Sequence, residues 1–301
     1  MPTEGQRAVA YEIHKPIRKY YPRRPFIVHG FKDVFQADLV DMKKYKDDDN
    51  DGMCYILTVI DCTSRYAWAA PLISKKGHVV TPAMRKILTL NDKKSFLKPP
   101  KYIQVDRGTE FYCREFKQML KEFDPPIKMY STGSELKATI VERFNRSLKT
   151  RMFREFSALG SFRWIDLLPK LIQDYNKSRH RSISMAPNDV RPHDEEKLVK
   201  INEEHVAKAQ PGEIKFRIGD QVRISGIKNI FAKGYYPSWS TGLYTIDKVC
   251  FTTKPITYHL LDWNKKPVEG GFYNEELQKT DLPNIYLVHE VYIREKNWYL
   301  I

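Results

Sequence analysis

Three carboxylates stand where that kind of side chain is either costly or well placed for chemistry. Asp38 falls inside an apolar run, FQADLVDM. Asp106 closes the short β run KYIQV and is followed at once by a turn at Gly108. Glu142 lies near the start of a helical pattern, VERFNRSLKTRM, behind a small polar loop. A carboxylate within a strand is disfavoured. Burying it is expensive unless it is paired or binds a metal. An acid at the carboxyl end of a strand sits where α/β sheets place ligands. Each acid taken singly also reads as a solvated side chain or a cap.

Helix geometry links further residues to Glu142. Asn145, Arg146 and Lys149 follow it at i+3, i+4 and i+7 and share its face. Val141, Phe144, Leu148 and Met152 form the neighbouring apolar face, which packs on a sheet. Ser131 and Thr132 belong to the preceding loop and are weaker candidates for contact with a ligand, and Lys137, at the start of the helical pattern, is a further one. Other acids carry less. Asp41 is three residues from Asp38 and faces the other side of a strand. Asp61 fits a turn between strands. The run from Asp47 to Gly52 looks like the start of a calcium-binding EF-hand loop, but its twelfth position is Thr58, within a strand, so a solvated hairpin turn is expected.

The elements that must hold these residues read as follows. Residues 33–42, CYILTVID and YAWAAPL form an antiparallel meander. A helix is expected over 78–91, a strand at 101–105, and a helix EFYCREFKQMLKEF capped by Thr109. A short strand at 127–130 precedes long helices over 136–156 and 162–177, with apolar residues at 3–4 spacing. This order predicts a mixed five-stranded sheet flanked by helices, an α/β core over 31–186. Residues 187–213, charged and Pro-containing, read as a linker with a short helix. From 214 to 281 the texture changes to short β runs punctuated by glycines, which predicts a small all-β barrel.

The chain has 301 residues and a net charge of +14, which favours a polyanionic partner such as nucleic acid. No run of 18 apolar residues spans a membrane, and the N-terminus lacks a signal peptide's apolar stretch. The four cysteines show neither CxxC nor zinc-ligand spacing, so no disulfide framework or structural zinc is expected. Residues 1–30 carry six Lys/Arg against two acids, with Tyr20 and Tyr21 among them. They read as a basic arm along a phosphate backbone or as a solvated tail.

Asp106 and Glu142 have 35 residues between them. With FQADLVDM, YILTVID, VDRGTEF, VERFNRSLKTRM and YNKSRHRSISMAP in order, the chain resembles the retroviral-type integrase superfamily, most of all the integrases of Maverick/Polinton transposons. The resemblance implies a ribonuclease H-like core holding two Mg²⁺ (or Mn²⁺) ions. Asp38 would bridge both metals, Asp106 would hold one and Glu142 the other. It implies metal-dependent 3′-end processing and strand transfer of mobile-element DNA into target DNA, a polynucleotidyl transferase working in the nucleus. Asn145, Arg146, Lys149, Ser131, Thr132 and Lys137 would lie near DNA. Partners implied are element ends, target duplex, further copies of this chain, and chromatin. Two departures stand out: the family's zinc-binding N-terminal domain has no counterpart beyond His14 and His29, and Arg107 replaces the usual Asn after the second acid. The run from Phe216 to Ile224 resembles the family's SH3-like C-terminal domain, with Arg223 among its expected DNA contacts. Residues 282–301 look like the first strands of a truncated chromodomain, or an apolar strand pairing into the barrel. A catalytically idle, domesticated DNA- or chromatin-binding descendant is the alternative reading. A metal-dependent nuclease on the same fold is a third.

Overall fold

The computed structural model describes residues 2–18, 20–46, 50–91, 94–131, 139–208, 212–226, 236–285, 287, 291–294 and 297–300. The chain divides into two compact units. One is continuous, Phe26–Ala207; the other combines Met1–Pro25 with Lys208–Ile301.

The continuous unit is built on five strands: β1 (Val34–Asp41), β2 (Tyr55–Asp61), β3 (Ala67–Leu72), β4 (Tyr102–Gln104) and β5 (Lys128–Tyr130). They run in the order β3-β2-β1-β4-β5, with antiparallel pairs on one side of β1 and parallel pairs on the other. The expected mixed sheet is therefore present. Alternation along β1 divides its side chains between two cores. Phe35 and Ala37 join the cluster of α2 (Gly77–Thr89) and α4 (Arg114–Lys121). Val40 and Met42 join that of α5 (Thr139–Leu159) and α6 (Leu168–Lys177). Gln36 and Asp38 share the parity of Val40 and so face α5.

Two helices differ from the sequence expectation for local reasons. The helix expected after Asp106 is two pieces, α3 (Thr109–Tyr112) and α4, broken where Cys113 is extended. Phe111 and Phe116 are five residues apart, about 140° round an unbroken helix. The break lets both be buried, with ring centroids 5.4 Å apart. α6 begins at Leu168 rather than 162, because Asn50 Oδ1 accepts from the amides of Trp164 (2.7 Å) and Ile165 (3.2 Å) and holds that segment outside the helix. The stretch expected as a linker contains α7 (Glu195–Ala207), thirteen residues long. Asn202 on α7 clasps the start of the unit: it accepts from Val28 N (3.0 Å) and donates to Phe26 O (2.9 Å).

The second unit has a four-stranded antiparallel sheet, ordered β8-β7-β6-β9, of β6 (Gln221–Ile224), β7 (Tyr244–Cys250), β8 (Thr257–Leu261) and β9 (Leu277–Lys279). This is the all-β sheet the SH3-like reading called for. The N-terminal segment is not simply an arm: α1 (Glu4–Ile13) starts with a capping box at Thr3 and Gln6. Its Val9 and Ile13 are buried with Trp239. Arg223, expected to contact DNA, is fully buried on β6. Its guanidinium donates to Glu12 Oε2 (3.3 Å) and to the carbonyls of Ser240 (3.0 Å) and Thr241 (2.7 Å). That withdraws Arg223 from any DNA surface and makes it a tie between α1 and the sheet. At the tail, β10 (Val291–Arg294) pairs with β11 (Asn297–Leu300), not with the four-stranded sheet.

Gln36 joins three elements of the first unit through one buried carboxamide. Its Nε2 donates to Gln104 Oε1 on β4 (2.9 Å). Its Oε1 accepts from the amides of Ile140 and Val141 at the start of α5, both at 3.0 Å. Gln36→Leu removes the acceptor of both amides and one hydrogen bond to Gln104. Urea unfolding should show a loss of about 2–4 kcal/mol; a loss below about 0.5 kcal/mol would contradict this role. Asp61, at the end of β2, is fully buried, and burial pushes its carboxyl up to about 6 against the bonds from Ser64. A pKa raised on folding contributes stability that is complete below about pH 4 and is lost as pH rises through about 6. The span corresponds to about 3 kcal/mol. Asp61→Asn should remove this decline, so its melting temperature relative to the parent rises between pH 4 and 7.5. A constant difference across that range would exclude Asp61 as the titrating group.

Candidate active site

The three acids reach one region because three elements are fastened there. Gln36 on β1 stands opposite Gln104 on β4 in the parallel register. Two residues beyond that last pair come Asp38 on β1 and Asp106 past the end of β4, near enough for the charge of Asp106 to act on Asp38. Asp106 lies just past the end of β4, where its Oδ1 accepts from Gly108 N (3.2 Å). Glu142 directly follows the two α5 amides that Gln36 holds. Asp38 is half-buried; Asp106 and Glu142 are exposed.

The carboxyl group of Asp38 registers its neighbours. Burial pushes it above the usual carboxylate range, and the bond from Leu39 N (2.8 Å) opposes that. The charges of Asp106 and Glu142 raise it further, while the Asn145 amide pulls it back. These are like charges held together in a partly desolvated place. What offsets them at Asp38 is two hydrogen bonds, not a cation. Among the described residues no three His, Cys, Asp or Glu side chains stand close enough together to hold a metal ion. The donor set itself fits a hard divalent cation, because it consists of carboxylate oxygens whose mutual repulsion such an ion would relieve.

Asn145 is the residue whose role the sequence left unread. It is buried on α5, and its Nδ2 donates to Asp38 Oδ2 at 2.8 Å. Its Oδ1 is enclosed with no hydrogen-bond partner. Asn145 thus holds one oxygen of Asp38 while Leu39 N holds the other. Arg146 and Lys149 are exposed on the Glu142 side of the same helix. Ser131 is half-buried at the end of β5; Thr132 and Lys137 lie outside the described residues. Of the discounted acids, Asp41 is exposed and pairs with Lys43 (3.7 Å), and Asp61 accepts from Ser64 N (2.6 Å) in the turn after β2.

Comparison with known proteins gives a consistent result. The family model described as "Integrase core domain" matches residues 32–135, a span that includes Asp38 and Asp106 and ends before Glu142. A putative uncharacterized transposon-derived protein of Caenorhabditis elegans is 34% identical over 218 residues, 72% of this chain and 69% of that protein. The Gag-Pol polyprotein of Walleye dermal sarcoma virus is 24% identical over 177 residues, 59% of this chain but 9% of the polyprotein. Among solved structures, a simian T-cell lymphotropic virus intasome in complex with the PP2A regulatory subunit B56 gamma is 14% identical. It covers 87% of this chain and 84% of its own, with a TM-score of 0.55, a likeness of fold. The HTLV-2 integrase catalytic core domain in complex with magnesium is 17% identical over 56% of this chain and 99% of its own, at a TM-score of 0.41. With an integrase core sheet in the expected order and a transposon-derived relative matched across most of its length, this chain belongs to the retroviral-type integrase superfamily.

Proposed function

We propose that this chain is a metal-dependent polynucleotidyl transferase that trims and joins DNA 3′ ends, inserting mobile-element DNA into a target duplex. The observation that carries this reading is the convergence of charge on Asp38: its carboxyl is pushed above the usual range by burial and then by the charges of Asp106 and Glu142, which come from two other elements. Asp38, Asp106 and Glu142 would hold two Mg²⁺ or Mn²⁺ ions. When bound, such ions polarise the scissile phosphate and stabilise the attacking and leaving oxygens of an in-line displacement. The protein's own share is positional. Asn145 and Leu39 N orient the Asp38 carboxylate, and Gln36 sets β4 and α5 against β1. Arg146 and Lys149 lie on the Glu142 side of α5, where a donor strand's phosphates would run; Ser131, Thr132 and Lys137 are proposed as further contacts to that strand. Both cations supply affinity that is independent of sequence. Two element ends must meet one target, so the working form contains more than one copy. Its DNA substrates place its work in the nucleus.

The test uses a branched DNA that mimics the strand-transfer product, with Mg²⁺ or Mn²⁺, and reads resealing of the target strand. Resealing should occur with the parent protein and fall at least about 100-fold in Glu142→Gln, while duplex binding persists. Equal binding by both with resealing by neither would reject the transferase. Asn145→Ala should weaken the metal dependence of resealing about 10–100-fold, as loss of a group orienting a ligand does. The apparent metal constant, read by titrating Mn²⁺, separates this from general damage. An unchanged constant would remove Asn145 from the site.

A further inference from the structure

α5 carries a second cationic stripe that the acids do not use. Arg143, Ser147 and Arg151 stand at i, i+4 and i+8, about 100–180° round the helix from Glu142. Arg65, in the turn between β2 and β3, approaches the same flank, close enough for its charge to act on Arg143, Tyr175 and His180. Arg151 acts on Tyr175 and His180 as well, and its Nη2 donates to Ser178 Oγ at 3.0 Å. His180 closes the group: its ring lies 4.5 Å from that of Tyr175, and its Nε2 is 3.2 Å from Tyr175 O.

These cations lack the anions that such a cluster requires. None of the three arginines forms an ion pair among the described residues. Arg65 is also in a left-handed backbone conformation (φ 57–61 is shared by few residues here; its own is 61°), and its Nη1 is wholly enclosed without a hydrogen-bond partner, although the residue as a whole keeps some exposure. Arg65 N donates to the Asp61 carbonyl (2.9 Å), but the Asp61 carboxylate forms no bond to the guanidinium and its Oδ1 is unpaired. The carboxyl end of α6 contributes about half a negative charge. Even with Asp61 ionised, about one and a half of the three positive charges stay uncompensated. An enclosed guanidinium with unused donors suits a phosphate oxygen.

We propose that Arg65, Arg143 and Arg151 form a second phosphate-binding site, on the flank of α5 away from Glu142, that grips the backbone of duplex DNA. The identity of the ligand rests on the DNA-joining reading above; the anion site does not. Two probes keep the two apart. Inorganic phosphate, against chloride at equal ionic strength, should raise the melting temperature of the full chain. Arg143→Gln/Arg151→Gln should lose most of that rise, and the exposed Arg143→Gln alone should lose part of it. For a blunt duplex, the slope of log affinity against log salt should fall by about 2 in the double variant, the value for two lost phosphate contacts. Parent and double variant agreeing in both measurements would overturn the site and leave Arg65 Nη1 to a structural water. A phosphate effect lost in the double variant without a change in DNA slope would overturn the DNA assignment. If the parent fails to reseal branched DNA yet the phosphate effect and slope behave as expected, only the transferase reading fails.

Discussion

The carboxamide of Gln36 is the constraint on which the first unit's arrangement depends. A single buried side chain donates to β4 and accepts from two amides at the start of α5. Each contact lies two residues or fewer from one of the acids. The strand register alone would bring Asp38 and Asp106 near one another, but nothing in a sheet fixes where a covering helix begins. Helix starts leave amides unsatisfied, and here a strand side chain supplies what a cap would. The cost of putting a polar group in the core is offset by one donated and two accepted hydrogen bonds at that carboxamide.

Electrostatics work against that assembly. Three carboxylates approach one another in a place that partly excludes water, and the fold spends packing energy to keep them there. Val141, Phe144, Leu148 and Met152 anchor one face of α5 in the core, which leaves Glu142 little freedom to withdraw. Asn145 moderates the repulsion at Asp38 without cancelling it. Such a site is electrostatically unfavourable by itself, and a bound cation would relieve that. The opposite imbalance, positive and on the other flank of α5, gives the helix two charged edges around one apolar stripe.

Much of this was legible in the sequence. The order of strands and helices follows from alternation and 3–4 spacing, and the parity that separates Asp38 from Asp41 is a property of any strand. The spacing of Asp106 and Glu142 pointed to the family before any geometry. One signal went unread: Gln-x-Asp occurs twice, as Gln36-Ala37-Asp38 and Gln104-Val105-Asp106, and the pair stand in parallel register. Arg223 misled because a cation in a β run looks like a surface residue, while its partner Glu12 lies 211 positions away. No local pattern reveals a pairing of that range. The start of α6 was misplaced for the same reason, since Asn50 holds Trp164 across 114 positions.

Asn202 has a consequence for the order in which the chain can fold. By tying Phe26 and Val28 to α7, it brings the entrance and exit of the continuous unit side by side. The other unit is split by that insertion: α1 precedes it, and Arg223 on the strand it is tied to comes 211 positions after Glu12. Closing a loop of that length costs roughly 5 kcal/mol of chain entropy. Once the inserted unit has formed, Asn202 has already closed it. Folding would then run from that inserted unit outwards, with α1 lacking its sheet until the strands from β6 to β9 have been made.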